Sequence, residues 1–362
     1  MRGEDFEEVA HTGGKLIVSP NGSVQYEHSN PTPCTVFPIR VELELHVTDE
    51  DGSNPRVEKY PFEIFLISDR EGMFGRKCPR CREYFRVGNP AGNIICPYCR
   101  VRADANYFLT QPQREYINAY TRAIREALSG GEQVIEINLD ALVEQIDNNK
   151  SPFSYKEVRQ QTQVHCSICR CKYDIFGLYG ACPNCGHMNS LEILLSFLSV
   201  LQERIEKPRF DKSQRAERES EWEEIIKSCV SSFEGFASDL VKQLQRIPAT
   251  KRRRKSISEI NLINPTKAHE NLINWFDIEL LKGFSTDERT FIIRWFARRH
   301  LLTHRSGIVD QEYIDNTNDF TVKPGQKIRV RSSDARQMIL LTRKMGVNFF
   351  EGWEQIDWDF RP

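Results

Sequence analysis

The chain has 362 residues, enough for roughly two or three domains with cores of ordinary size. Its 50 lysines and arginines are balanced by 51 aspartates and glutamates, so the net charge of −1 excludes a general attraction to polyanions. No apolar run reaches the roughly 18 residues of a membrane span, and the first residues lack the apolar core of a signal peptide. We therefore expect a cytoplasmic protein that contacts no membrane and whose 11 cysteines are candidates for binding metal rather than for forming disulfides.

Alternation of apolar and charged residues predicts β-strands in segment 1–70. The pattern is clearest over residues 40–47, where valine and leucine alternate with arginine, glutamate and histidine. Residues 15–18 and 61–67 are further candidates, and turn sequences separate the three. We expect a small antiparallel sheet or sandwich without a catalytic group.

The strongest chemical signal is a pair of C-x-x-C motifs in each of the segments 71–106 and 161–189. Two cysteines with two residues between them fit one tight turn that presents both sulfurs to a metal ion. Two such turns supply the four ligands of a tetrahedral site. Each segment is therefore predicted to be a zinc ribbon with one structural Zn²⁺, since four thiolates leave no open position for water. The predicted ligands are Cys78, Cys81, Cys96 and Cys99 in the first ribbon, and Cys166, Cys169, Cys182 and Cys185 in the second.

Three alternatives at the ribbons stay open. Iron could replace zinc, and Cys171, His165 or His187 could enter the second site. Basic residues near the first ribbon could bind nucleic acid with help from aromatic rings, or could form the solvated rim of a ribbon that contacts protein. The basic residues are Arg76, Lys77, Arg80, Arg82, Arg86, Arg100 and Arg102, and the rings are those of Tyr84, Phe85 and Tyr98.

Helical periodicity dominates outside the ribbons. Segment 107–160 is predicted to be a connector with an amphipathic helix over residues 112–128 and a short strand over 134–139. A linker helix fills most of segment 190–212. Segment 213–362 is predicted to be helical, with helices reaching residue 245 before Pro248, over 266–281, over 285–304 and over 333–353.

A run of five basic residues at 251–255 is predicted to be a loop. Such a run is usually a solvated connector. The alternative is a segment that contacts RNA phosphates, in which Lys251, Arg252, Arg253 and Arg254 would be the contacting residues.

The helix over residues 285–304 has the clearest boundaries in the chain. Ser285 and Glu288 have the spacing of a capping box, and Gly307 suits the left-handed residue beyond the end. Apolar residues along one stripe indicate that the helix is packed against others.

The last turn of this helix gathers Arg299, His300 and His304. A guanidinium binds phosphate oxygens in a bidentate way, and an imidazole can take the proton of a ribose 2′-hydroxyl. On an ideal helix, however, Arg299 and His304 are roughly 140° apart and about 7.5 Å apart along the axis. Either the helix loosens at His304, or a second copy of the chain completes the site.

This Arg-polar-x-x-x-His sequence at the end of an apolar helix, followed by residues 307–313, resembles the HEPN superfamily of small helical domains. The resemblance runs from about residue 214 to the end of the chain. It implies a metal-independent endoribonuclease that works as a dimer, often a toxin or an antiviral effector. Arg299 would position the phosphate, His304 would be the catalytic base or acid, and His300 would be the polar companion.

We therefore expect an α+β multidomain protein with an N-terminal β unit, two zinc ribbons and a C-terminal all-α HEPN-like bundle over 213–362. Its predicted partners are RNA, a second copy or higher oligomer, and a second protein that triggers or inhibits it. Arg298 joins the basic run as a candidate RNA contact. The alternative is a non-catalytic zinc-ribbon module that binds RNA or protein and dimerises through its helical bundle.

Overall fold

The computed structural model describes residues 14–19, 23–27, 36–47, 55–68, 71–88, 92–129, 134–139, 141, 162–206, 215–247 and 249–356. The chain divides into two compact units, one extending to His187 and one beginning at Met188. Strands occupy the first unit and helices dominate the second, so the α+β prediction is confirmed at this coarse level. The predictions for residues 1–13 and 142–161, and for the boundary at 212–213, lie outside the described residues.

Two small antiparallel sheets lie in the N-terminal part of the first unit. Strand β1 (Lys15–Val18) pairs with β2 (Val24–Glu27) on one side and with β9 (Ile135–Asn138) on the other. Strands β3 (Val36–Val47) and β4 (Arg56–Ile67) pair along their whole length. Alternate apolar side chains face the core, as the sequence pattern predicts.

Helix α1 (Gln111–Ser129) belongs to the same core as these sheets. Its Tyr116, Tyr120 and Ile124 are buried, and the ring of Tyr120 stacks on Phe62 with 6.2 Å between the centroids. Strand β9, which follows α1, extends the sheet of β1. Packing thus joins the described parts of the predicted connector to the β unit.

The two cysteine-rich segments share one sheet. Its four antiparallel strands lie in the order β10-β11-β6-β5, so the central pair joins the first segment to the second. A hairpin and a short 3₁₀ helix, Ala105–Phe108, complete this part of the unit. The strands are β5 (Met73–Lys77), β6 (Tyr84–Gly88), β10 (Thr162–His165) and β11 (Lys172–Ile175), with β7 (Asn93–Ile95) and β8 (Arg102–Asp104) in the hairpin.

The described part of the second unit consists of seven helices. The long helix α3 contacts α2, α6 and α8, and the rings of Phe233 and Phe236 on α3 meet those of Phe296 and Phe349 in the core. The helices are α2 (Ser190–Glu206), α3 (Arg215–Leu244), α4 (Lys251–Ser258), α5 (Pro265–Phe276), α6 (Thr286–His304), α7 (Gln311–Thr317) and α8 (Ser332–Glu354).

The prediction of a loop at residues 251–255 is wrong, because these residues form the first part of α4. Thr250 caps the helix by accepting a hydrogen bond from the backbone N–H of Arg253, and lysine and arginine are good helix formers. The helix predicted to reach residue 281 ends at Phe276, because Asp277 adopts a left-handed conformation with φ of 58°. None of the helices among the described residues combines the length and the hydropathy that a membrane crossing requires.

Candidate metal centres and candidate catalytic site

The eight predicted cysteine ligands form two separate groups of four. Within each group the sulfur atoms all lie within 4.8 Å of one another. The Sγ atoms of Cys78 and Cys99 are 3.5 Å apart, and those of Cys169 and Cys182 are also 3.5 Å apart. Four thiolates at about 2.3 Å from a tetrahedral zinc ion stand roughly 3.8 Å apart, so both groups fit such an ion with little adjustment.

The backbone around each C-x-x-C motif follows one repeated pattern. The residue after the second cysteine has a left-handed conformation, and its N–H donates to the carbonyl of the first cysteine at 2.8–3.0 Å. The first cysteine in turn donates its own N–H to the residue five positions later. Both sulfurs of a motif are thereby presented to one point. The left-handed residues are Arg82 (φ 63°), Arg100 (φ 59°), Arg170 (φ 62°) and Gly186 (φ 79°).

Thiol contacts within the first group shift the acidity of its members in opposite directions. Hydrogen bonds involving Cys81, and then Cys96, lower the pKa of Cys78 to about 7. Burial, followed by contacts with the other three thiols, raises the pKa of Cys96 far above its ordinary value. The group therefore holds protons that a bound cation would displace, as expected for a thiolate site.

The alternative ligands of the second site lie outside its group of four sulfurs. Cys171 donates to the backbone carbonyl of Lys172 at 3.6 Å, and its contact with Cys182 lowers its pKa. His165 is exposed on β10, and His187 contributes its backbone carbonyl to the turn of Cys182. The geometry thus favours the two C-x-x-C pairs.

Two of the basic residues near the first cysteine group, Arg76 and Arg86, are buried, so they contribute neither to a nucleic-acid surface nor to a solvated rim. Arg86 is fully buried and donates to the equally buried Asp174 on the neighbouring strand β11, with 2.9 Å between Nε and the carboxylate. Arg76 is also fully buried, and Phe85 is 1% exposed. The pair of Arg86 and Asp174 joins strands β6 and β11, whereas Arg76 donates to Gly75 and to Gln113 on helix α1. Other basic residues of this rim remain exposed, namely Lys77, Arg80, Arg82 and Arg102.

Helix α6 is regular as far as His304. The predicted capping box is present, with the N–H of Glu288 donating to Ser285 Oγ and the N–H of Ser285 donating to the Glu288 carboxylate. At the other end, the N–H of Arg305 still bonds to the carbonyl of Leu301 at 2.8 Å, and Gly307 has φ of 78°. The helix therefore does not loosen before His304, which removes one of the two ways of completing the site.

Arg299 contacts helix α3 rather than its neighbours on α6. Its Nη2 donates to Glu234 Oε2 at 3.0 Å and lies 3.5 Å from Ser231 Oγ. Burial raises the pKa of Glu234 although Arg299 lowers it, and the other carboxylate oxygen of Glu234 is buried without a partner among the described residues. The sequence could have drawn attention to Glu234, because an acidic residue stands there between Phe233 and Phe236 in an apolar stripe.

His300 and His304 form a second pair on the same helix end. Their rings lie one helical turn apart, with 4.8 Å between the centroids, and both residues are exposed. In the part of the chain that the structure describes, no hydrogen bond joins Arg299 to either ring. One chain thus brings the histidines together and anchors the arginine, but does not join the two groups.

Arg298 is engaged inside the second unit. Its Nη2 donates to the fully buried Asp319 at 2.6 Å, and its Nε donates to the hydroxyl of Tyr313 at 3.0 Å. The guanidinium also lies 4.9 Å from the ring centroid of Trp295. The prediction that Arg298 contacts RNA therefore has no support from its position.

The other predicted RNA contacts remain exposed on α4, namely Lys251, Arg252, Arg253 and Arg254. In the described residues, no carboxylate pairs with any of these four, and the one ion pair of the basic run joins Lys255 to Glu259. Comparison of the chain with profiles of known protein families, with curated proteins and with solved structures gave no match. The chemistry of the site residues is therefore the basis for a functional assignment.

Proposed function

We propose that the protein is a metal-independent endoribonuclease in which Arg299 and His304 act at a site shared by two chains. The observation that carries this proposal is an anchored guanidinium beside an exposed pair of imidazoles at the end of one regular helix. Arginine and histidine supply the two functions that RNA transesterification needs, namely stabilisation of phosphoryl charge and proton transfer. The resemblance to the HEPN superfamily supports the same assignment.

The proposed reaction is an attack of the ribose 2′-oxygen on the adjacent phosphorus. His304 takes the proton of the 2′-hydroxyl while the bond between the 2′-oxygen and phosphorus forms. The bond from phosphorus to the 5′-oxygen breaks, and the corresponding histidine of the second chain donates a proton to that oxygen. The products are a 2′,3′-cyclic phosphate and a free 5′-hydroxyl.

Arg299 would stabilise the charge on the phosphoryl oxygens. Its Nη2 is held by Glu234 and Ser231, and in the described chain its Nε and Nη1 have no hydrogen-bond partner. An anchored guanidinium with unpaired donors on Nε and Nη1 can still donate hydrogen bonds to phosphate oxygens. Glu234 is then a positioning residue, because it touches the guanidinium and not the substrate.

A second chain is part of the proposal because α6 is regular at its end. Residues five apart on a regular helix diverge by roughly 140°, so Arg299 and His304 of one chain do not converge. A twofold axis near the helix end would bring Arg299 and His304 of one chain close to the same two residues of the second chain. The exposure of both imidazoles is consistent with such a contact.

We also propose that the two cysteine groups bind structural Zn²⁺. Four thiolates in tetrahedral geometry suit zinc, and iron is the alternative. Both ions would stabilise the first unit and take no part in the reaction, which is proposed for residues of the second unit.

Substitution of His304 tests the nuclease assignment. We expect His304→Ala to lower the rate of RNA cleavage by about 10²- to 10⁴-fold, because it removes the proton-transfer group. Cleavage of end-labelled RNA by purified protein measures the rate, and the cyclic phosphate identifies the reaction. His46→Ala, a change of an exposed histidine in the first unit, serves as the control.

Cleavage that persists undiminished in His304→Ala would show that the assignment is wrong. Cleavage by the wild-type protein should also survive a chelator that does not remove the structural ions. RNA binding without any cleavage would favour the alternative, a non-catalytic zinc-ribbon module.

A further inference from the structure

A cavity of about 460 Å³ lies beside the basic run of α4, away from Arg299 and His304 in the sequence. Helices α4 and α5 and the chain just before α4 supply its walls. This volume falls within the roughly 300–1,000 Å³ of small-molecule sites. The residues that matter here are Ile247, Thr250, Arg253, Ile257, Trp275 and Phe276.

The walls combine aromatic rings with a guanidinium. Trp275 and Phe276 are half-buried, and the guanidinium carbon of Arg253 lies 5.1 Å from the centre of the Trp275 ring. Unpaired bases in RNA complexes stack on aromatic side chains and on the planes of arginine guanidinium groups. Apolar atoms of Ile247 and Ile257 would exclude water from such a base.

The rim of this cavity is strongly basic. Five consecutive cations begin α4, and the only ion pair that they form among the described residues joins Lys255 to Glu259 at 3.8 Å. Lys251 and Arg252 are exposed beside Thr250, which lines the cavity. Although the whole chain has a net charge of −1, this turn therefore presents local positive charge that attracts phosphate.

The geometry points to a nucleotide-binding site, in which the base enters the cavity and its phosphate contacts the first turn of α4. An aromatic wall alone would accept any apolar group, and a basic run alone would accept any polyanion. Their juxtaposition selects a planar base that carries a phosphate. The nucleotide is either part of an RNA strand, in which case the site rests on the proposed function, or a free nucleotide.

The test uses the full-length protein and three probes. A fluorescent single-stranded RNA with 2′-O-methyl groups cannot be cleaved by attack of the 2′-oxygen, so its binding is independent of the nuclease activity. The same sugar-phosphate strand without bases measures the phosphate contacts alone. A free nucleoside monophosphate is titrated separately by calorimetry.

We expect Trp275→Leu to weaken binding of the RNA by roughly tenfold, in the range found for loss of one stacked base. Binding of the strand without bases should stay unchanged in this variant and should weaken in Arg252→Gln. Phe197→Leu, a change of an exposed aromatic residue on α2, and Lys282→Gln, a change of an exposed lysine, are the matched controls. Circular dichroism verifies that each variant is folded.

Weakened binding of the RNA identifies a strand as the source of the nucleotide, and saturable binding of the monophosphate that Trp275→Leu abolishes identifies a free nucleotide. The inference is overturned if folded Trp275→Leu binds both probes as the wild type does. These outcomes do not depend on the result for His304→Ala. The nucleotide site can therefore be confirmed even if the nuclease assignment fails, and the nuclease assignment can be confirmed even if the nucleotide site fails.

Discussion

Three arginines of α6 show how position on one helix gives identical side chains different surroundings. Arg294 and Arg298 are four residues apart, so they lie on one face and both approach the buried carboxylate of Asp319. Arg299 is rotated by about 100° from Arg298 and meets Glu234 on α3 instead. The two faces separate the pair of arginines that approach Asp319 from Arg299, which keeps unpaired donors.

Asp319 pairs with two of these arginines inside the second unit. Burial acts to raise its pKa, but hydrogen bonds from Thr321 and Tyr313 and the ion pair with Arg298 hold it well below the ordinary value. We expect Asp319→Asn to lower the free energy of unfolding at pH 7 by about 3–5 kcal/mol, because Arg298 loses its charged partner in a buried site.

The pH dependence of this effect has a definite sign. A carboxylate with a lowered pKa stabilises the folded state above its unfolded pKa, near 3.8, and this contribution is lost as the pH falls further. The difference between wild type and Asp319→Asn should therefore shrink below about pH 4. Urea unfolding can be followed by tryptophan fluorescence, since the tryptophans among the described residues all belong to the second unit. Asp315→Asn, an exposed change on α7, should stay within about 0.5 kcal/mol of wild type at every pH.

At the scale of single elements, the cysteine turns carry a conformational cost. Three of the four left-handed residues that follow the C-x-x-C motifs are arginines, for which this conformation costs roughly 1–2 kcal/mol each. The cost is offset where both sulfurs bind one cation. Metal binding, as proposed, would therefore stabilise these turns in both cysteine-rich segments.

The second cysteine group allows a closely matched comparison, because Cys169 and Cys171 are two residues apart. Cys169 belongs to the group of four, whereas Cys171 lies beside it. We expect Cys169→Ser to reduce the metal content from two ions to about one per chain and to destabilise the first unit, since a structural ion contributes its binding energy to folding.

Cys171→Ser should keep both ions. Elemental analysis of the purified proteins gives the metal content and identifies the metal as zinc or iron. Loss of an ion in Cys171→Ser would show that the second ligand set has been assigned incorrectly.

At the scale of the whole molecule, the two kinds of chemistry belong to different compact units. Both cysteine groups lie in the unit that extends to His187, and the Arg299–His304 helix lies in the unit that begins at Met188. Each unit has its own core, and this separation is consistent with structural ions that take no part in the proposed reaction.

A mixing experiment tests whether two chains share one site. Wild-type chains are allowed to exchange with an equal amount of a folded double variant, Arg299→Ala with His304→Ala. If both chains contribute to one site, only wild-type pairs are active, and the activity should fall to about a quarter of that of an all-wild-type sample. If each chain had its own complete site, about half of the activity of the all-wild-type sample would remain. An outcome of half would contradict the shared site without contradicting the nuclease assignment.

Features that depend on neighbouring residues could be predicted from the amino-acid sequence. Two cysteines separated by two residues indicate the candidate metal ligands, because one tight turn presents both sulfurs. The capping box of Ser285 and Glu288 fixes the start of α6, since both hydrogen bonds lie within one turn. Apolar periodicity in the same way predicts that the segments of the long helices are helical.

The tertiary structure decided what depends on residues far apart in the chain. The pairing of β6 with β11 joins the two cysteine-rich segments and buries Arg86 against Asp174, 88 residues away, which no local pattern reveals. The contact of Arg299 with Glu234 and the cavity beside Trp275 likewise require helices to be packed together. Local spacing sets which groups a segment offers, but only packing sets which of them become buried, paired or free to bind.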